Sequence, residues 1–245
     1  KIADLERRKL SYPEAVNRLM EAIRTEFARI GRKPEPYVLC ETLEIADESW
    51  RNAVEGYLNT QRFYVLVEPE NFDIALGIYD RLKRDGKAFG VGLINTQNLE
   101  AYDNAPAGTL AAAVTSGNKY ARRFINMVLG KVQMCERYEE LKKYPTSITK
   151  GGMKYQNRVA SAIKPEIFKV PFIGKNAFRV QLKLAKMQWE ELCGDIDAKK
   201  KKLQAIESVQ EPLSTDDDVD IKYRVDVLSK LSLVQMSIKK CRENI

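Results

Sequence analysis

The chain has 245 residues, of which 44% are apolar and 31% charged, and this suffices for a core of one or two small domains. Its 41 Lys and Arg against 34 Asp and Glu give a net charge of +7, and it contains no histidine, so the commonest general base and the commonest transition-metal ligand are both missing. Four widely spaced cysteines without a CxxC pair predict free thiols in a reducing cytosol, and no apolar run approaches the ~20 residues of a membrane helix.

The first hundred residues alternate helical and extended patterns. A capping box from Ser11 to Glu14, followed by apolar residues at spacings of three and four, predicts a helix that ends at Gly31. The later elements, beginning with a strand and alternating with helices, are predicted at residues 37–45, 47–61, 63–67, 72–84 and 89–94. This alternation predicts a mixed α/β domain.

A polar linker at residues 95–108 precedes a degenerate repeat of the first half. A helix that begins at Trp50 leads to the predicted strand 63–67, and a helix that begins at Tyr120 leads to a short apolar run at residues 132–135. A basic, β-rich segment with a Gly151-Gly152 pair follows. Two halves of related order indicate a pseudo-symmetric domain.

From Phe178 onward the apolar spacing changes to a heptad pattern, which is typical of a coiled coil. The seam positions are Phe178, Leu182, Ala185, Trp189, Leu192, Ile196, Lys199, Leu203 and Ile206, with Lys199 opening a run of four lysines. Pro212 and the acidic residues 216–218 predict a break, after which an amphipathic helix resumes at Ile221. A helical hairpin packed on its own domain is the alternative interpretation. Because the chain starts with Lys and stops within a predicted helix, we expect it to be a piece of a longer protein.

The sequence contains no recognisable catalytic constellation. Neither Gly130-Lys131 nor Gly174-Lys175 has the upstream glycine and the following Ser or Thr of a phosphate-binding loop. Without histidine, a Ser–His or Cys–His dyad is impossible, and the acidic run 216–220 lacks the Gly and the Glu of an EF-hand loop. We therefore expect that this chain is not an enzyme and that it holds no cofactor and no metal.

The order of motifs over residues 37–174 resembles the hinge domain of SMC proteins, the ATPases of chromosome condensation. The matching segments are residues 39–45, Ala53-Val54-Glu55, residues 63–67 and 75–78 in the first half, and Tyr120, Leu129-Gly130, residues 132–135 and 147–151 in the second. The family's second glycine cluster is reduced here to Gly174. Residues 50–55 (WRNAVE) and 149–155 (TKGGMKY) further resemble the SMC-like subunit of bacterial Wadjet anti-plasmid defence systems.

The resemblance implies an α+β hinge-like domain of two pseudo-repeated halves, flanked by antiparallel coiled-coil helices. Its implied parts are an incoming stem (1–33), a first half (34–108), a second half with a glycine-bearing dimerisation strand (109–174), and an outgoing stem (175–245) with a break near 211–218. The implied parent is a cytoplasmic, nucleoid-associated bacterial ATPase whose heads lie outside this chain. Its implied partners are DNA and kleisin-type and nuclease subunits.

The resemblance also implies a homodimer formed by pairing edge strands, with glycines that allow close approach. The expected interface residues are Ile148, Lys150, Gly151, Gly152, Met153 and Gly130.

Between Lys119 and Lys186, 16 Lys and Arg face only 4 Asp and Glu, so the positive charge belongs to one region. This asymmetry indicates a surface that contacts DNA phosphates without reading sequence, although solvated lysine-rich faces have the same composition. The expected DNA-binding residues are Arg122, Arg123, Lys131, Lys142, Lys143, Lys150, Lys154, Arg158, Lys164, Lys169 and Lys175. Two alternatives remain open: a stand-alone basic nucleic-acid-binding domain with helical extensions, and an enzyme of an unrecognised α/β family.

Overall fold

The computed structural model describes residues 2–7, 10–33, 35–214 and 221–243, and the chain divides into two compact units, Lys1–Leu182 and Lys183–Ile245. The α-helices are α1 (Ile2–Glu6), α2 (Glu14–Ile30), α3 (Arg51–Leu58), α4 (Phe72–Arg84), α5 (Lys119–Leu129), α6 (Pro165–Phe168), α7 (Ala177–Ser214) and α8 (Ile221–Glu243). The strands are β1 (Tyr37–Val38), β2 (Leu43–Ile45), β3 (Val65–Leu66), β4 (Leu93–Ile94), β5 (Val114–Ser116), β6 (Gln133–Cys135), β7 (Thr146–Thr149), β8 (Met153–Gln156) and β9 (Val159–Ala162). Short 3₁₀ helices occupy Leu39–Thr42, Glu48–Trp50, Asn59–Phe63, Pro69–Asn71, Glu100–Tyr102, Leu110–Ala113 and Tyr138–Lys143.

Helix α2 forms where its apolar spacing predicts, but the predicted capping box is wrong, because Pro13 is the N-cap residue and no side-chain cap hydrogen bond is present there. Its apolar residues, among them Leu19 and Ile23, are fully buried in the core of the first unit. The helix ends where Gly31 adopts a left-handed conformation (φ 67°) and the Arg32 N–H donates to the Phe27 carbonyl at 2.8 Å. A left-handed glycine directly after the last helical residue is a common way to end a helix, because glycine adopts positive φ without a steric penalty.

The strands of the first half are much shorter than predicted. The predicted strand 37–45 is wrong, because a 3₁₀ turn over Leu39–Thr42 separates β1 from β2 and buries both Leu39 and Cys40. Of the predicted strands 63–67 and 89–94, only β3 and β4, with two residues each, pair with neighbours. A short run of buried apolar residues, such as residues 38–40, is compatible with a turn through the core as well as with a strand.

The two halves are related by a pseudo-two-fold axis through the β2–β5 pair. These strands are antiparallel, with Glu44 opposite Thr115 at the middle of the register. Residues 71 positions apart occupy equivalent places, so that the 3₁₀ turn Leu39–Thr42 before β2 matches Leu110–Ala113 before β5. Helices α3 and α5 follow these strands in the same order. The structure therefore has the pseudo-repeated architecture that the sequence predicts.

The outer sheets continue this symmetry and then break it. In the first half β1, β3 and β4 form one sheet, with β1–β3 antiparallel and β3–β4 parallel. In the second half an isolated antiparallel bridge from Thr109 to Gln133 takes the place of β1–β3, and β6–β7 is the matching parallel pair. The second half then adds the antiparallel strands β8 and β9, which have no counterpart among the described residues of the first half.

The Gly151-Gly152 pair lies in the turn between β7 and β8, so the predicted glycine-bearing strand is wrong as secondary structure. Gly152 has a φ of 82°, and its N–H donates to the Thr149 carbonyl at 3.0 Å, which closes the turn. The next turn, between β8 and β9, is Asn157-Arg158, with φ values of 53° and 62°. Two residues of positive φ form the type I′ turn that fits the twist of a two-residue hairpin.

The second unit contains most of α7 together with α8. The Lys199 ammonium donates to the Cys241 sulfur at 3.2 Å, so the two helices run antiparallel as a hairpin. Trp189 is 46% exposed, contrary to its predicted place in the heptad seam. Helix α7 continues through Pro212 to Ser214, and residues 215–218 of the predicted break lie outside the described residues. None of the described helices combines the length and apolarity needed to cross a membrane.

Candidate functional site

Strand β9 is a free sheet edge. It is the last strand in the order β6-β7-β8-β9, and its sequence, Val-Ala-Ser-Ala, contains neither lysine nor proline. Val159 is 61% exposed, and two of the other three side chains are also exposed. An edge strand presents a row of backbone N–H and C=O groups, and natural proteins usually protect such edges with charge, proline or a covering element. This strand is therefore competent to pair with another strand.

Strand β4 is the corresponding free edge in the first half. The pseudo-two-fold axis places it where β7 lies in the second half, but in the residues that the structure describes no further strand pairs with it. Phe89, four residues before β4, is 67% exposed, and Gly90 next to it has a φ of 80°. An exposed apolar side chain thus lies on β9 (Val159) and in the segment that leads into β4 (Phe89).

The six residues predicted for the dimer interface do not form one surface. Ile148 is fully buried in β7, inside the sheet, and Gly130 is buried after α5, where its N–H donates to the Asn126 carbonyl at 2.9 Å. Gly151 and Met153 are exposed, whereas Gly152 is buried beneath the Phe168 ring. Lys150 is half-buried and pairs with Glu136 at 2.8 Å, with its ammonium 5.4 Å from the centroid of the Trp50 ring.

The glycine pair offers a matched test of backbone strain. A Cβ on Gly152 would lie 3.4 Å from the Phe168 ring at a positive φ, whereas a Cβ on Gly151 would meet open space. We expect Gly152→Ala to lower the free energy of unfolding by about 1–2 kcal/mol, because left-handed backbone is costly for alanine. We expect Gly151→Ala to change it by less than about 0.5 kcal/mol. Urea unfolding of both variants checks this, and equal losses would contradict it.

Two of the predicted DNA-binding residues are used inside the fold. One Arg122 Nη donates to the carbonyls of Ala111 (3.1 Å) and Val114, and burial lowers the pKa of this guanidinium. Arg123 is only 17% exposed and pairs with Asp103 at 2.6 Å and with Glu100 at 3.2 Å. These two arginines hold the linker and the 3₁₀ turn against α5, and only Arg123 has its charge compensated by carboxylates.

Four other predicted residues meet at one end of the second sheet. The register pairs Thr146 with Gln156 and Gln156 with Val159, so the β8–β9 turn lies at the end of the sheet where β7 begins. Parallel β6 begins at this same end. We call these residues the basic end of the sheet, and all four are exposed: Lys131, Lys142, Lys143 and Arg158. Tyr144, which is 39% exposed, lies among them in the chain.

The remaining predicted cations are dispersed. Lys150 and Lys164 follow β7 and β9 and therefore lie at the opposite end of the sheet. Lys154 is half-buried within β8, and Lys169 follows α6. The Lys175 N–H donates to Glu44 at 3.0 Å. The eleven predicted residues accordingly divide into one compact group of four and several separate positions.

Glu55 is a fully buried carboxylate whose environment the sequence did not reveal. One oxygen accepts from Arg62 Nη1 at 2.7 Å, and the other accepts from the N–H groups of Phe172 and Ile173, each at 2.7 Å. The Arg62 guanidinium lies 5.0 Å from the centroid of the Phe172 ring and 4.9 Å from that of Phe63. Glu55 therefore ties α3 to the segment that leads from β9 towards α7.

At the symmetry-related position on α5, a neutral side chain holds a long connection in the same way as Glu55 does. Asn126, 71 residues after Glu55, is buried and donates through Nδ2 to the carbonyls of Tyr102 (2.8 Å) and Asp103 (3.0 Å). Each half thus uses one buried polar side chain on its central helix to hold a long connection. The only sequence signal for Glu55 was its place in the Ala-Val-Glu step.

A cleft of about 720 Å³ opens beside α2, and its lining includes Tyr12, Cys40 and Glu41. The Tyr12 hydroxyl donates to Glu41 at 2.9 Å. Burial is the largest cause that raises the pKa of both Tyr12 and Cys40 above their usual values, so both groups stay protonated at neutral pH. The cleft therefore offers no thiolate nucleophile. All four cysteines are free thiols, as predicted.

Comparisons with known proteins identify the fold. The sequence matches no protein-family model and no curated protein. The structure is similar to the SMC hinge domain of Geobacillus stearothermophilus, solved as an asymmetric dimer, with a TM-score of 0.50 and 10% identity over 99% of this chain and 86% of that one. It is also similar to the folded elbow of cohesin (TM-score 0.50, 13% identity, 99% of this chain and 36% of that chain). A Pyrococcus furiosus Smc hinge domain with an extended coiled coil gives a TM-score of 0.45 at 15% identity, over 99% of this chain and 85% of that one.

At these identities the likeness shows the fold alone. The chain has the mixed helix-and-sheet fold of SMC hinge domains with flanking helices, and the predicted fold class is confirmed.

Proposed function

We propose that this chain is the hinge-type dimerisation module of an SMC-like ATPase, and that two copies pair through their free sheet edges. The observation that carries the proposal is β9, an exposed edge strand without lysine or proline, in a fold whose other half has its own free edge at β4. A two-fold axis that brings β9 of one copy beside β4 of the other generates the second, identical contact by symmetry. The resulting dimer has two identical β9–β4 contacts, so neither copy is left with an unpaired edge strand.

The chemistry of the two edges suits this pairing. Strand addition supplies main-chain hydrogen bonds, and the small side chains of β9 allow a second backbone to approach closely. The exposed Phe89 and Val159 add apolar area at each contact.

The solution mass tests the proposal directly. Light scattering on the 28.0 kDa chain is expected to give about twice that mass, since a two-fold pair is the assembly that closes both edges. A mass of 28.0 kDa at every accessible concentration would overturn the dimer and would favour a stand-alone nucleic-acid-binding domain with helical extensions.

We also propose that the basic end of the sheet binds DNA through the phosphate backbone. Lys131, Lys142, Lys143 and Arg158 come from separate segments and share one exposed end. Lysine and arginine side chains contact phosphates without reading sequence, and the exposed Tyr144 is able to stack on an unpaired base.

The triple variant Lys142→Gln, Lys143→Gln, Arg158→Gln is expected to weaken binding of duplex DNA. The slope of log K against log salt should fall by about 1 for each phosphate contact that is lost. The control triple variant Lys83→Gln, Arg84→Gln, Lys87→Gln carries the same charge change on α4 and in the turn after it. Fluorescence anisotropy over a salt series measures both, and equal losses in the two variants would contradict a local site.

The parent protein is proposed to be a cytoplasmic bacterial ATPase of the Wadjet anti-plasmid type, with kleisin-type and nuclease partners. The support for this is the resemblance of residues 50–55 and 149–155 to that SMC-like subunit. Deletion of the parent gene in its host should then increase plasmid retention, and unchanged retention would argue against this assignment.

A further inference from the structure

The cleft beside α2 combines a buried apolar base with aromatic walls, and all of its lining residues belong to the first unit. Its volume of about 720 Å³ falls within the ~300–1,000 Å³ that is usual for sites of small molecules. The residues at its base, each no more than 5% exposed, are Met20, Val38 and Cys40. Its walls are formed by three partly buried rings: Tyr12, Phe172 and Phe178. This lining suits the apolar part of a small ligand.

The two cations at the rim of the cleft are already paired with acids that lie outside its lining. Arg24 Nε lies 3.3 Å from a carboxylate oxygen of Glu35, and the Lys175 ammonium lies 3.9 Å from a carboxylate oxygen of Glu44. Each cation is therefore balanced by a neighbouring carboxylate, which lowers the attraction of the rim for an anionic ligand.

Among the described residues, the two acids at the rim, Glu21 and Glu41, have no cationic partner. The Glu41 carboxylate accepts from the Tyr12 hydroxyl at 2.9 Å and from the Val38 N–H at 3.3 Å, and both donors are neutral. The Glu21 carboxylate makes neither a hydrogen bond nor an ion pair within the described part of the chain. Counted with the two acids outside the lining, the rim has four carboxylates and two cations, an excess of two negative charges.

The aromatic cluster that forms part of the walls already holds one cation. The Arg62 guanidinium lies 5.0 Å from the centroid of the Phe172 ring, and the ring centroids of Tyr12 and Phe172 are 6.3 Å apart. Glu55 pairs with Arg62 at 2.7 Å, so this buried cation is compensated and does not offset the negative charge at the rim. The faces of aromatic rings attract cations, and the attraction is stronger where water is excluded. The walls and the rim therefore both favour a cationic ligand.

We propose that this cleft binds a small organic cation, namely a primary amine carried on an apolar or aromatic stem. Its ammonium group contacts the Glu21 and Glu41 carboxylates in charge-assisted hydrogen bonds, while its stem packs on Met20 and against the aromatic walls. A free amine and the side chain of a lysine in a partner protein share this chemistry. The volume of the cleft favours the free amine, because about 720 Å³ holds a whole molecule of this kind, whereas one lysine side chain would fill only a fraction of it.

Methyl NMR of the whole chain with ¹³C-labelled methionine tests the proposal, with 2-phenylethylamine as the probe. Met20 lies in the cleft, whereas Met187 and Met236 lie in the second unit and serve as internal controls. Of these three signals the amine should shift only that of Met20, in a saturable way and with a Kd of about 1 mM, which is ordinary for a ligand of this size. The compound 3-phenylpropionate has the same ring and chain but ends in a carboxylate, and it should leave all three signals unchanged.

Two conservative variants and a matched control locate the ammonium group. Glu21→Gln and Glu41→Gln should each weaken the binding of 2-phenylethylamine about three- to tenfold, because one charge-assisted contact becomes neutral. Glu41→Gln keeps an oxygen that accepts from the Tyr12 hydroxyl, so the fold is expected to be retained. Glu70→Gln removes an exposed carboxylate that is not part of the lining, and it should leave the affinity unchanged.

A saturable Met20 shift that is specific to the free amine, and that at least one of the two glutamine variants weakens, supports the proposal. The proposal is overturned if the amine leaves the Met20 signal unmoved, if 3-phenylpropionate shifts it equally, or if both variants bind the amine as tightly as the wild type does. The compound Nα-acetyl-lysinamide presents a lysine side chain without a free α-amine. If it binds more tightly than 2-phenylethylamine, the site belongs to a lysine of a partner protein, and the assignment to a free amine is overturned.

Discussion

Replacing Glu55 with alanine is expected to lower the free energy of unfolding of the first unit by about 3–5 kcal/mol. The Arg62 side chain is 7% exposed and would be left as a buried cation without its carboxylate. The N–H groups of Phe172 and Ile173 would lose their shared acceptor at the same time. Removing one partner of a buried pair costs far more than the pair contributes, because the remaining charge stays out of water.

Two further variants keep this prediction testable if the alanine variant does not fold. Glu55→Gln retains an oxygen for the two N–H groups but faces Arg62 with a neutral amide, so we expect an intermediate loss. Glu48→Ala removes a carboxylate that is 69% exposed and pairs with Arg51 at 2.6 Å, and should cost no more than about 1 kcal/mol. Urea unfolding ranks the three, and amide hydrogen exchange at residues 172 and 173 should accelerate only in the Glu55 variants. A Glu55→Ala loss as small as that of Glu48→Ala would show that the buried pair is dispensable.

Replacing Ala160 with proline is expected to convert the proposed dimer into a monomer that remains folded. Gln156 and Val159 close the two-residue turn, so the backbone groups of Val159 and Ser161 face β8. The Ile163 N–H, which donates to the Gly152 carbonyl at 2.9 Å, continues this alternation. The N–H of Ala160 therefore points away from the sheet, and proline there removes one donor from the free edge without breaking the β8–β9 ladder.

Light scattering and urea unfolding together check this prediction. Ala160→Pro should scatter as the 28.0 kDa chain, and the free energy of unfolding of the monomer should change by no more than about 1 kcal/mol. Ser161→Pro is the matched control, since it removes an N–H that faces β8 and should destabilise the hairpin itself. Ala160→Lys places a charge on the same edge and provides a second means of blocking the pairing. A folded Ala160→Pro or Ala160→Lys chain that dimerises as tightly as the wild type would exclude β9 from the interface.

The sequence determined those elements whose signal is local. Helix α2 follows from apolar spacing and from the left-handed glycine at its end, and the pseudo-repeat follows from the order of similar segments. The sequence did not determine the two-residue strands β1, β3 and β4, because a strand this short is defined only by its hydrogen bonds to neighbouring strands. A short buried apolar run such as residues 38–40 has no periodicity that separates a strand from a 3₁₀ turn.

The position of the free edge could not be predicted from the glycine pair. Gly151-Gly152 suggested a strand built for close approach, but one of the two glycines serves the positive φ of a turn. The edge itself is the neutral Val-Ala-Ser-Ala segment, which has no distinctive composition. Only the strand order β6-β7-β8-β9 shows that, within the described part of the chain, no further strand pairs with it.

Tertiary structure alone decided which charged residues are available to bind a partner. Composition located the positive charge in one region. Arg122 and Arg123, however, make contacts within the fold. The strand register brings Lys131 and Arg158 to one end of a sheet. Glu55 finds its amide partners 117 and 118 residues away. Helical periodicity depends on residues that are three and four positions apart, so it can be recognised in the sequence. The state of a charge depends on burial and on partners distant in the chain, and these exist only once the chain has folded.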